Sequence, residues 1–382
     1  MRIGIDYRPC LKPGSRRRGI GRFTSLLVDN LLRLDRENEY RLYSCRGWRP
    51  RELPRPAAVE DLPYLPRPSR LNWLIDRWTL PRRLRRDGLD LFHATDVTSI
   101  PVSTSTAVWA YVHDLIPHLF WEQTRRHVPA DFRYALTSAA NRVRAASMVI
   151  TVSFHSRRDL CRQWDIAEDK IKVLYQDCDP SLGPVEPDLA RRRLQQEYAI
   201  EGPFLFYVGG SDFRKNLPSL VDAMADLSRQ GYSGDLVMAG ESFDWKIPEV
   251  EQVRQRIRHH GLQGRVVFPG YVPDADLPYF YSSCQAFVFP SLYEGFGIPL
   301  LEAMRCGAPV VAADAASLPE VGGEAARYFD PRDSQSMAAV LRQVLDDEDL
   351  RSQMQQAGLR RARRFSWRRS AEELRRWQEE LR

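Results

Sequence analysis

The stretch AFVFPSLYEGFGIPLLEAM, residues 286–304, decides the fold. Its first four residues are apolar, which predicts a buried strand that ends at Phe289. Two glycines follow within the next eight residues, and Pro299 stands where proline is favoured, in the first turn of a helix. Backbone amides at such a helix start can bind a diphosphate. The stretch therefore predicts a strand-turn-helix unit with an anion site at the carboxyl end of the strand.

Similar units lie on both sides, because short β-branched or aromatic runs alternate with helical stretches along the chain. This alternation is typical of parallel sheets with helices on both faces. The predicted strands of the first half are 2–6, 40–44, 90–93, 107–113, 148–153 and 171–175. Those of the second half are 204–208, 236–239, 266–268, 286–289, 309–312 and 326–329. The sequence therefore predicts the α/β class with two doubly wound sheets.

The composition is that of an ordinary soluble globular protein, with 43% hydrophobic and 28% charged residues. The 382 residues are enough for two domains. The six cysteines form no C-x-x-C pair, so we expect free thiols in a reducing cytoplasm. Neither a signal peptide nor an apolar run of about 20 residues is apparent, which favours a cytoplasmic protein.

Two glutamates flank the predicted helix start: Glu294 precedes it, and Glu302 lies on the helix, about two turns beyond Glu294. A carboxylate can accept charge-assisted hydrogen bonds from two hydroxyls, which suits a sugar or a ribose. Glutamates at this spacing are common on helices, but the context EGFGIPLLEAM is specific. The segment resembles the E-x7-E motif of glycosyltransferase family four, the retaining GT-B enzymes. The resemblance to this family covers nearly the whole chain. The resemblance implies contacts of Glu294 with the transferred sugar and of Glu302 with the ribose.

The resemblance also implies the GT-B architecture, in which two Rossmann-like domains face each other across a cleft. We assign residues 1–180 to an N-terminal acceptor-binding domain and residues 204–365 to a nucleotide-sugar-binding domain. The proline-rich residues 181–203 are predicted to form the linker. The amphipathic final helix, residues 366–382, is expected to pack back on the first domain. Residues 48–70, rich in Pro and Arg, are predicted to be a mobile loop.

A glycine turn and two cations follow the first strand of the second half, in the stretch YVGGSDFRKN, residues 207–216. Glycines let the backbone approach a ligand closely, and Arg214 and Lys215 carry positive charge. In family four the matching Arg and Lys bind the donor pyrophosphate and stabilise the departing nucleotide. The resemblance implies the same role here, and a solvated basic turn is the alternative.

The first half contributes a glycine-rich loop after its first strand, GIGRF at residues 19–23. In the family the corresponding loop lies over the donor phosphate and sugar. Three arginines stand directly before this loop, and their charge suits an anionic acceptor such as a polyprenyl-diphosphate sugar.

Two further pieces of the first half match the family. His113 and Asp114 end a strand in the sequence HDLIP, which is similar to that of bacterial mannosyltransferase-like members and implies a contact of His113 with the transferred sugar. The TVSFHS turn, residues 151–156, contains Ser153 and Ser156. These serines are candidate donor or acceptor contacts, with helix capping as the alternative role.

Together the motifs and the resemblance predict three groups of site residues. The catalytic group is His113, Arg214, Lys215 and Glu294. The donor-binding group is Gly19, Gly21, Gly209, Gly210, Ser291, Gly295, Phe296, Gly297, Ile298 and Glu302. The acceptor-binding or secondary group is Arg16, Arg17, Arg18, Arg22, Asp114, Ser153 and Ser156.

Two D-x-D pairs, Asp177 with Asp179 and Asp274 with Asp276, resemble the metal-binding motif of other transferases. The two cations and the helix start can neutralise a diphosphate without a metal, so we predict none. No cofactor is expected either, because the nucleotide sugar is a substrate.

The resemblance implies transfer of a hexose, with retention of configuration, onto a saccharide or a polyprenyl-diphosphate-linked saccharide in cell-surface polysaccharide synthesis. The HDLIP match favours GDP-mannose as the donor, while UDP- and dTDP-sugars stay open. Glu294 is expected at the far hydroxyls of the sugar, so we favour front-face attack over a covalent intermediate. A nucleotide-sugar epimerase or a phosphorylase of the same fold is an alternative. So is a non-catalytic, membrane-peripheral assembly protein.

Partners beyond the substrates are suggested by the net charge of +6, which comes mostly from arginine clusters. Residues 71–78, LNWLIDRW, are followed by Arg82, Arg83, Arg85 and Arg86, as in an interfacial helix. A core-facing helix with an exposed basic side is the alternative. Since lipid-linked acceptors are usual in the family, we expect peripheral contact with the anionic inner face of the cytoplasmic membrane. No nucleic-acid partner is expected.

Overall fold

The structure is a computed structural model that describes residues 1–11, 19–45, 48–50, 53–63, 70–124, 130–244 and 247–381. The chain divides into two compact units. The first comprises Met1–Gln176 and Ser366–Arg382, and the second comprises Asp177–Phe365. Each unit contains one parallel sheet.

The strands of the first unit are β1 (Arg2–Asp6), β2 (Glu39–Cys45), β3 (Ala58–Leu62), β4 (Leu91–Ala94), β5 (Ala107–Tyr111), β6 (Met148–Thr151) and β7 (Ile171–Val173). Those of the second unit are β8 (Phe204–Val208), β9 (Asp235–Ala239), β10 (Val266–Val267), β11 (Ala286–Phe289), β12 (Val310–Ala313) and β13 (Ala326–Phe329). The strand orders are β3-β2-β1-β4-β5-β6-β7 and β10-β9-β8-β11-β12-β13. In each sheet the order reverses beside the first strand of the unit, as in doubly wound folds.

The helices of the first half are α1 (Gly19–Leu34), α2 (Arg70–Arg86), α3 (Ile116–Leu119), α4 (Trp121–Thr124), α5 (Ala130–Ala145) and α6 (Phe154–Trp164). Next come α7 (Pro187–Tyr198), α8 (Leu217–Arg229), α9 (Pro248–His259), α10 (Leu277–Ser283) and α11 (Ile298–Arg305). The last are α12 (Leu318–Gly322), α13 (Ser334–Asp346), α14 (Glu348–Ala362) and α15 (Trp367–Glu380). Short 3-10 turns cover Arg8–Cys10, Val97–Ser99, Glu168–Lys170, Phe213–Lys215, Glu241–Asp244 and Gly323–Ala325.

Strand β3 lies inside the stretch that the sequence predicted as a mobile loop, so that prediction was wrong for residues 58–62. The strand pairs with β2 at the edge of the sheet. Of its five residues only Leu62 is buried, and therefore no apolar run marked it. Glu60 forms ion pairs with Arg41 on β2 and with Arg83 on α2, which attach the edge strand to its neighbours.

The C-terminal helix α15 belongs to the first unit. Ser366 caps it, and the ring of Trp367 packs edge-on against Phe23 of α1 with centroids 5.5 Å apart. Leu374 and Trp377 are buried, whereas Leu381, which directly follows the helix, is 42% exposed. The amphipathic stripe therefore packs through its first three turns.

Residues 181–203, which the sequence predicted as a linker, lie in the second unit. They contain α7, which packs against α10. Tyr198 at the end of α7 donates a hydrogen bond to Asp276 at 2.7 Å, and its ring packs edge-on against Phe280 at 4.8 Å. These contacts make the segment part of the second unit, because α7 buries its apolar face against the rest of that unit.

Candidate active site

The carboxyl ends of β8 and β11 lie side by side, at the point where the strand order of the second sheet reverses. Residues 209–216 follow β8, and residues 290–297 follow β11. The Leu292 amide donates to the Arg214 carbonyl at 2.7 Å, which joins the two loops. In open parallel sheets, ligands collect at such a reversal. The two stretches that carry the donor motifs therefore meet at one edge of the sheet.

Lys215 and Glu294 form an ion pair between these loops, with Nζ 2.5 Å from Oε1. Their side chains are only 12% and 14% exposed, so solvent and salt screen the pair weakly. The Lys215 ammonium also lies 5.3 Å from the centroid of the Phe289 ring. Ser317 donates to the main-chain carbonyl of Glu294 at 2.9 Å, which fixes the position of the loop. A cation and a carboxylate are thus held together at the reversal point.

Arg214 connects the same two loops through its side chain. Its Nε lies 2.8 Å from Asp212 Oδ1, and its Nη1 donates to the Tyr293 carbonyl at 3.3 Å. Asp212 also caps the 3-10 turn that carries both cations. Arg214 and Lys215 are therefore positioned by one short turn, which keeps their positive charges close together.

Helix α11 begins directly after the second loop. Its N-cap, Gly297, has φ of 98°, a left-handed conformation that favours glycine. A Cβ at this position would lie 2.8 Å from Leu318 Cδ2. Pro299 occupies the first turn of the helix, as the sequence predicted. Pro299 has no N–H, and the Leu300 amide donates to the Gly297 carbonyl at 3.0 Å, so of the first three residues of α11 Ile298 is the one that offers a backbone amide to an anion.

Glu302 lies on α11 with its carboxylate directed into the unit, since the residue is 6% exposed. The Tyr281 hydroxyl donates to Glu302 Oε2 at 3.1 Å. This phenol fixes one oxygen of the carboxylate. The contact of Glu302 with a ribose stays a prediction.

The glycine turn after β8 is held by main-chain contacts. The Gly209 amide donates to the Ala239 carbonyl at 3.0 Å, and the Tyr207 hydroxyl donates to the Gly210 carbonyl at 2.6 Å. Both hydrogen bonds fix the backbone at the carboxyl end of the strand. Gly209 and Gly210 therefore lie in the loop at the end of the strand, where a residue without a side chain lets a ligand approach the backbone closely.

The remaining predicted donor residues lie in the loop after β11. Ser291 is fully buried, and its hydroxyl has no hydrogen-bond partner within the described parts of the chain. Gly295 is buried as well, and Ile298 is half-buried. Phe296 is 2% exposed and packs edge-on against Phe365, with centroids 5.7 Å apart. The Phe296 side chain therefore supports the loop by packing.

In the first unit, His113 follows β5 and is half-buried. Its Nε2 lies 3.3 Å from the Thr95 carbonyl, and because a carbonyl only accepts, Nε2 carries the proton. The ring packs edge-on against Phe23 at 4.7 Å. Burial lowers the pKa of His113 below its ordinary value, so the ring is neutral at pH 7. Its Nδ1 is then a hydrogen-bond acceptor, which suits a hydroxyl.

Ser153, Ser156 and Asp114 shape the backbone around His113. Ser153 is the N-cap of α6 and accepts from the Ser156 amide at 3.0 Å. The Ser156 hydroxyl donates to the His113 carbonyl at 3.3 Å, and Asp114 accepts from the Ile116 amide at 2.9 Å. Ser153 therefore has the alternative role of helix capping, whereas the Ser156 hydroxyl joins α6 to the loop after β5.

The glycine-rich loop is described from Gly19 onward. Gly19, with φ of 59°, opens α1, and the buried Gly21 accepts a hydrogen bond from the Cys10 thiol at 3.3 Å. Arg22 is half-buried on the first turn of α1. The other predicted acceptor contacts, Arg16, Arg17 and Arg18, lie outside the described residues.

Sequence reasoning missed a buried ion pair at the carboxyl end of β1. Arg8 Nε lies 2.8 Å from Asp6 Oδ1, and the two residues are 5% and 1% exposed. Thr95 donates to the Asp6 carbonyl at 2.6 Å, and the same Thr95 offers its carbonyl to His113. The sequence did contain an indication of this pair. Asp6 is a charged residue at the end of an apolar strand, and the carboxyl ends of parallel strands form the edge of the sheet where ligands bind.

One aspartate of each D-x-D pair forms an ion pair with an arginine of the chain. Asp177 accepts from Arg305 at 2.6 Å, and Asp276 contacts Arg193 at 3.2 Å and Tyr198 at 2.7 Å. Within the described ranges, no group of three His, Cys, Asp or Glu residues could hold a metal ion.

Comparison with known proteins identifies the family. The model of glycosyltransferase family 4 matches residues 17–181, and that of the glycosyl transferases group 1 matches residues 191–361. The chain belongs to glycosyltransferase family four. This confirms the resemblance that the E-x7-E segment suggested.

Two curated relatives of this family-four glycosyltransferase come from Escherichia coli. O-antigen chain mannosyltransferase B is 35% identical over 238 residues, 62% of this chain and 61% of the relative. The serotype-specific mannosyltransferase WbdA is 28% identical over 281 residues, 72% of this chain and 34% of the relative. In both cases the matched part spans less than two thirds of the relative.

The solved structure of sucrose-phosphate synthase from Thermosynechococcus elongatus has the same fold. It superposes with a TM-score of 0.80 at 19% identity, over 100% of this chain and 99% of the other. The predicted α/β class with two Rossmann-like units of the GT-B kind is thereby confirmed.

Proposed function

We propose that this chain is a retaining, metal-independent hexosyltransferase. It transfers a hexose from a nucleoside diphosphate to a saccharide or a polyprenyl-diphosphate-linked saccharide in cell-surface polysaccharide synthesis. The observation that carries the proposal is the Lys215–Glu294 pair beside the start of α11. A cation beside a helix start suits a diphosphate, and a carboxylate suits sugar hydroxyls.

The proposed mechanism uses charge that the chain itself supplies. Lys215, Arg214 and the start of α11 stabilise the negative charge that develops on the departing diphosphate. Glu294 and the neutral His113 accept hydrogen bonds from hydroxyls of the sugar. The acceptor oxygen bonds to the anomeric carbon on the face that the phosphate leaves, and the phosphate takes the acceptor proton. The anomeric configuration is retained without a glycosyl-enzyme.

GDP-mannose is the proposed donor. The HDLIP sequence at His113 supports it, and so do the two Escherichia coli relatives, which are named as mannosyltransferases. UDP- and dTDP-hexoses are the alternatives, because a diphosphate site and two glutamates do not distinguish the base.

The proposed function is tested with purified protein and a panel of GDP-mannose, UDP-glucose and dTDP-rhamnose. We expect GDP release from GDP-mannose and a larger rise in melting temperature with GDP than with UDP or dTDP, because ligands that bind the folded state stabilise it. Intact-protein mass spectrometry is expected to show no glycosyl adduct. If no donor is hydrolysed or transferred, the non-catalytic assembly protein becomes the better explanation. A trapped adduct on Glu294 would exclude front-face attack.

Peripheral contact with an anionic membrane is part of the proposal. Trp78 on α2 is 60% exposed, and the Arg82 guanidinium lies 5.5 Å from the centroid of its ring. Arg82 and Arg85, both exposed, stand four and seven residues after Trp78 and share its helix face. An exposed aromatic flanked by cations is typical of interfacial helices. Among the helices that the structure describes, none has the length and apolarity to cross a bilayer.

Reversing two charges, Arg82→Glu with Arg85→Glu, is expected to abolish flotation with vesicles that contain anionic lipid. Each basic residue near such a surface contributes about 1 kcal/mol of binding, and the reversal also adds repulsion. Arg83 is unsuitable for this test, because its Nε pairs with Asp87 at 2.7 Å.

The matched control reverses two exposed charges on α15, Arg368→Glu with Arg376→Glu, whose side chains are 72% and 64% exposed. Flotation that survives reversal at Arg82 and Arg85, or is lost equally in the control, would argue against this surface.

A further inference from the structure

We propose that the ion pair between Lys215 and Glu294 is an autoinhibitory contact, in which the carboxylate competes with the diphosphate of a nucleotide for the ammonium. The inference rests on the proposed function and adds a regulation of the same site. Nζ lies 2.5 Å from Oε1, so each group is occupied by the other. A nucleotide sugar offers both a new partner, because a diphosphate suits the ammonium and sugar hydroxyls suit the carboxylate.

The hydrogen bond of this pair is exclusive on both sides. Among the residues that the structure describes, Glu294 alone accepts a hydrogen bond from the Lys215 ammonium, and Lys215 alone donates to the Glu294 carboxylate. The ammonium also contacts the Phe289 ring, with 5.3 Å to its centroid, but this ring carries no charge. Opening the pair therefore makes a full cation and a full carboxylate available at the same time.

The neighbouring cation, Arg214, is held in a different way. Its Nε lies 2.8 Å from Asp212, whose side chain is 42% exposed, and its Nη1 donates to the Tyr293 carbonyl. Water and salt weaken an exposed ion pair, so Asp212 competes weakly with a ligand. Glu294 is only 14% exposed and is screened much less. Competition with a diphosphate is therefore concentrated at Lys215.

The lysine side chain is the partner that can move. Ser317 donates to the main-chain carbonyl of Glu294 at 2.9 Å, and the Leu292 amide donates to the Arg214 carbonyl at 2.7 Å. Both loops are thus fixed through their main chains. A lysine carries its ammonium on a flexible four-carbon stem, so Lys215 can turn from the carboxylate to a phosphate without a change of the backbone.

The contact distinguishes the donor from the nucleoside diphosphate that is left after transfer. The donor gives Glu294 sugar hydroxyls in exchange for the ammonium, whereas the product has no sugar to offer. A ligand that binds only the open fraction of a site loses affinity in proportion to that fraction. Closure of the pair therefore weakens the binding of the product more than that of the donor, and it favours release of the product.

The test measures the affinities of GDP, UDP and dTDP for the full chain by isothermal titration calorimetry. Glu294→Gln keeps the shape of the side chain and removes its charge. We expect the diphosphate that binds the wild-type chain most tightly to bind Glu294→Gln about tenfold more tightly, the effect of one charge-assisted hydrogen bond that no longer competes. Equal or weaker binding by this variant would overturn the proposal, as would wild-type and variant chains that bind none of the three.

Simple repulsion between a carboxylate and a diphosphate would also be relieved in Glu294→Gln, and Glu294→Asp separates the two causes. Aspartate keeps the negative charge but is one methylene shorter, so the close contact with Lys215 is lost. Competition predicts that Glu294→Asp binds the diphosphate about threefold more tightly than wild type. Repulsion predicts unchanged affinity, and that result would contradict an autoinhibitory contact.

Asp314→Asn is the matched control for a change of net charge. Asp314 is exposed in the loop after β12, and the substitution removes one negative charge from the same unit. Its affinity for the diphosphate is expected to match the wild type. A gain as large as that of Glu294→Gln would show a general effect of charge and overturn the specific contact.

Binding and turnover of GDP-mannose on the same samples separate this proposal from the proposed function. In Glu294→Gln the preference for GDP-mannose over GDP is expected to fall, because the donor loses a sugar contact. Donor turnover by the wild-type chain with unchanged diphosphate affinities in both Glu294 variants removes the autoinhibitory contact and leaves the proposed function standing. Tighter diphosphate binding in both variants, without hydrolysis or transfer from any donor, supports the contact and contradicts the proposed function.

Discussion

Replacement of Lys215 by methionine is expected to lower kcat/KM for hexose transfer by about a hundred- to a thousandfold. The ammonium group lies 2.5 Å from Glu294 in a pair that is shielded from solvent, and there a charge acts strongly on a neighbouring phosphate. Methionine keeps the length of the side chain and removes the charge. Transfer then lacks the cation that we propose stabilises the leaving diphosphate, and the loop loses both the ion pair with Glu294 and the contact of the ammonium with the Phe289 ring.

Two further variants separate the loss of charge from other effects. Lys215→Arg keeps a cation and is expected to recover part of the rate, whereas a steric role would be disturbed by both substitutions. Lys170→Met in the first unit removes the same charge from the chain and is expected to leave kcat/KM unchanged. Initial rates of donor turnover measure all three. Turnover by Lys215→Met within a few fold of wild type would contradict the assigned role.

The fold could be predicted from the sequence because both sheets are parallel. Central strands such as β8 and β11 are buried on both faces and therefore appear as continuous apolar runs. Strand β3 escaped prediction because an edge strand with one buried residue lacks such a run. The segment with α7 is predicted as a linker that contains one short charged helix, and the packing of this helix against α10 depends on tertiary contacts that a single sequence does not show.

The motifs of the candidate donor site could be predicted from the sequence, but the contacts between them could not. Each motif is local, and the helix start at Gly297 follows from its own sequence. The ion pair between Lys215 and Glu294 joins residues 79 positions apart, which neither motif reveals alone. Likewise, the contact of Ser317 with the Glu294 carbonyl depends on how the loop after β12 packs. Such pairings are set by tertiary structure, and a single sequence shows only their members.

Replacement of Arg305 by methionine is expected to destabilise the second unit by about 3 kcal/mol at pH 7. Arg305 ends α11, and its guanidinium lies 2.6 Å from Asp177, whose side chain is 5% exposed. The variant leaves a buried carboxylate without its cation, and that is costly because the charge cannot be solvated. Urea unfolding, followed by circular dichroism, measures the change in the free energy of unfolding.

The destabilisation is expected to depend on pH in a defined direction. Burial raises the pKa of Asp177 above its ordinary value of 3.8, and Arg305 opposes this rise. A carboxyl with a raised pKa binds its proton more tightly in the folded state, so its contribution to stability is present at low pH and is lost as the pH rises through the raised pKa. Without Arg305 the pKa rises further. The free energy lost by Arg305→Met is therefore expected to be larger at pH 7 than at pH 4.

A double variant and a matched control test the cause. Adding Asp177→Asn to Arg305→Met removes the buried charge and is expected to recover most of the loss, so the two substitutions are strongly non-additive. Arg342→Met removes an exposed ion pair with Asp346 in the same unit and is expected to cost about 0.5 kcal/mol or less. Equal losses from Arg305→Met and Arg342→Met would show that the pair adds no more than a surface contact. A loss of unfolding free energy in Arg305→Met alone would instead show that the pair with Asp177 fixes the C-terminal end of α11. The first turn of this helix carries the proposed donor site.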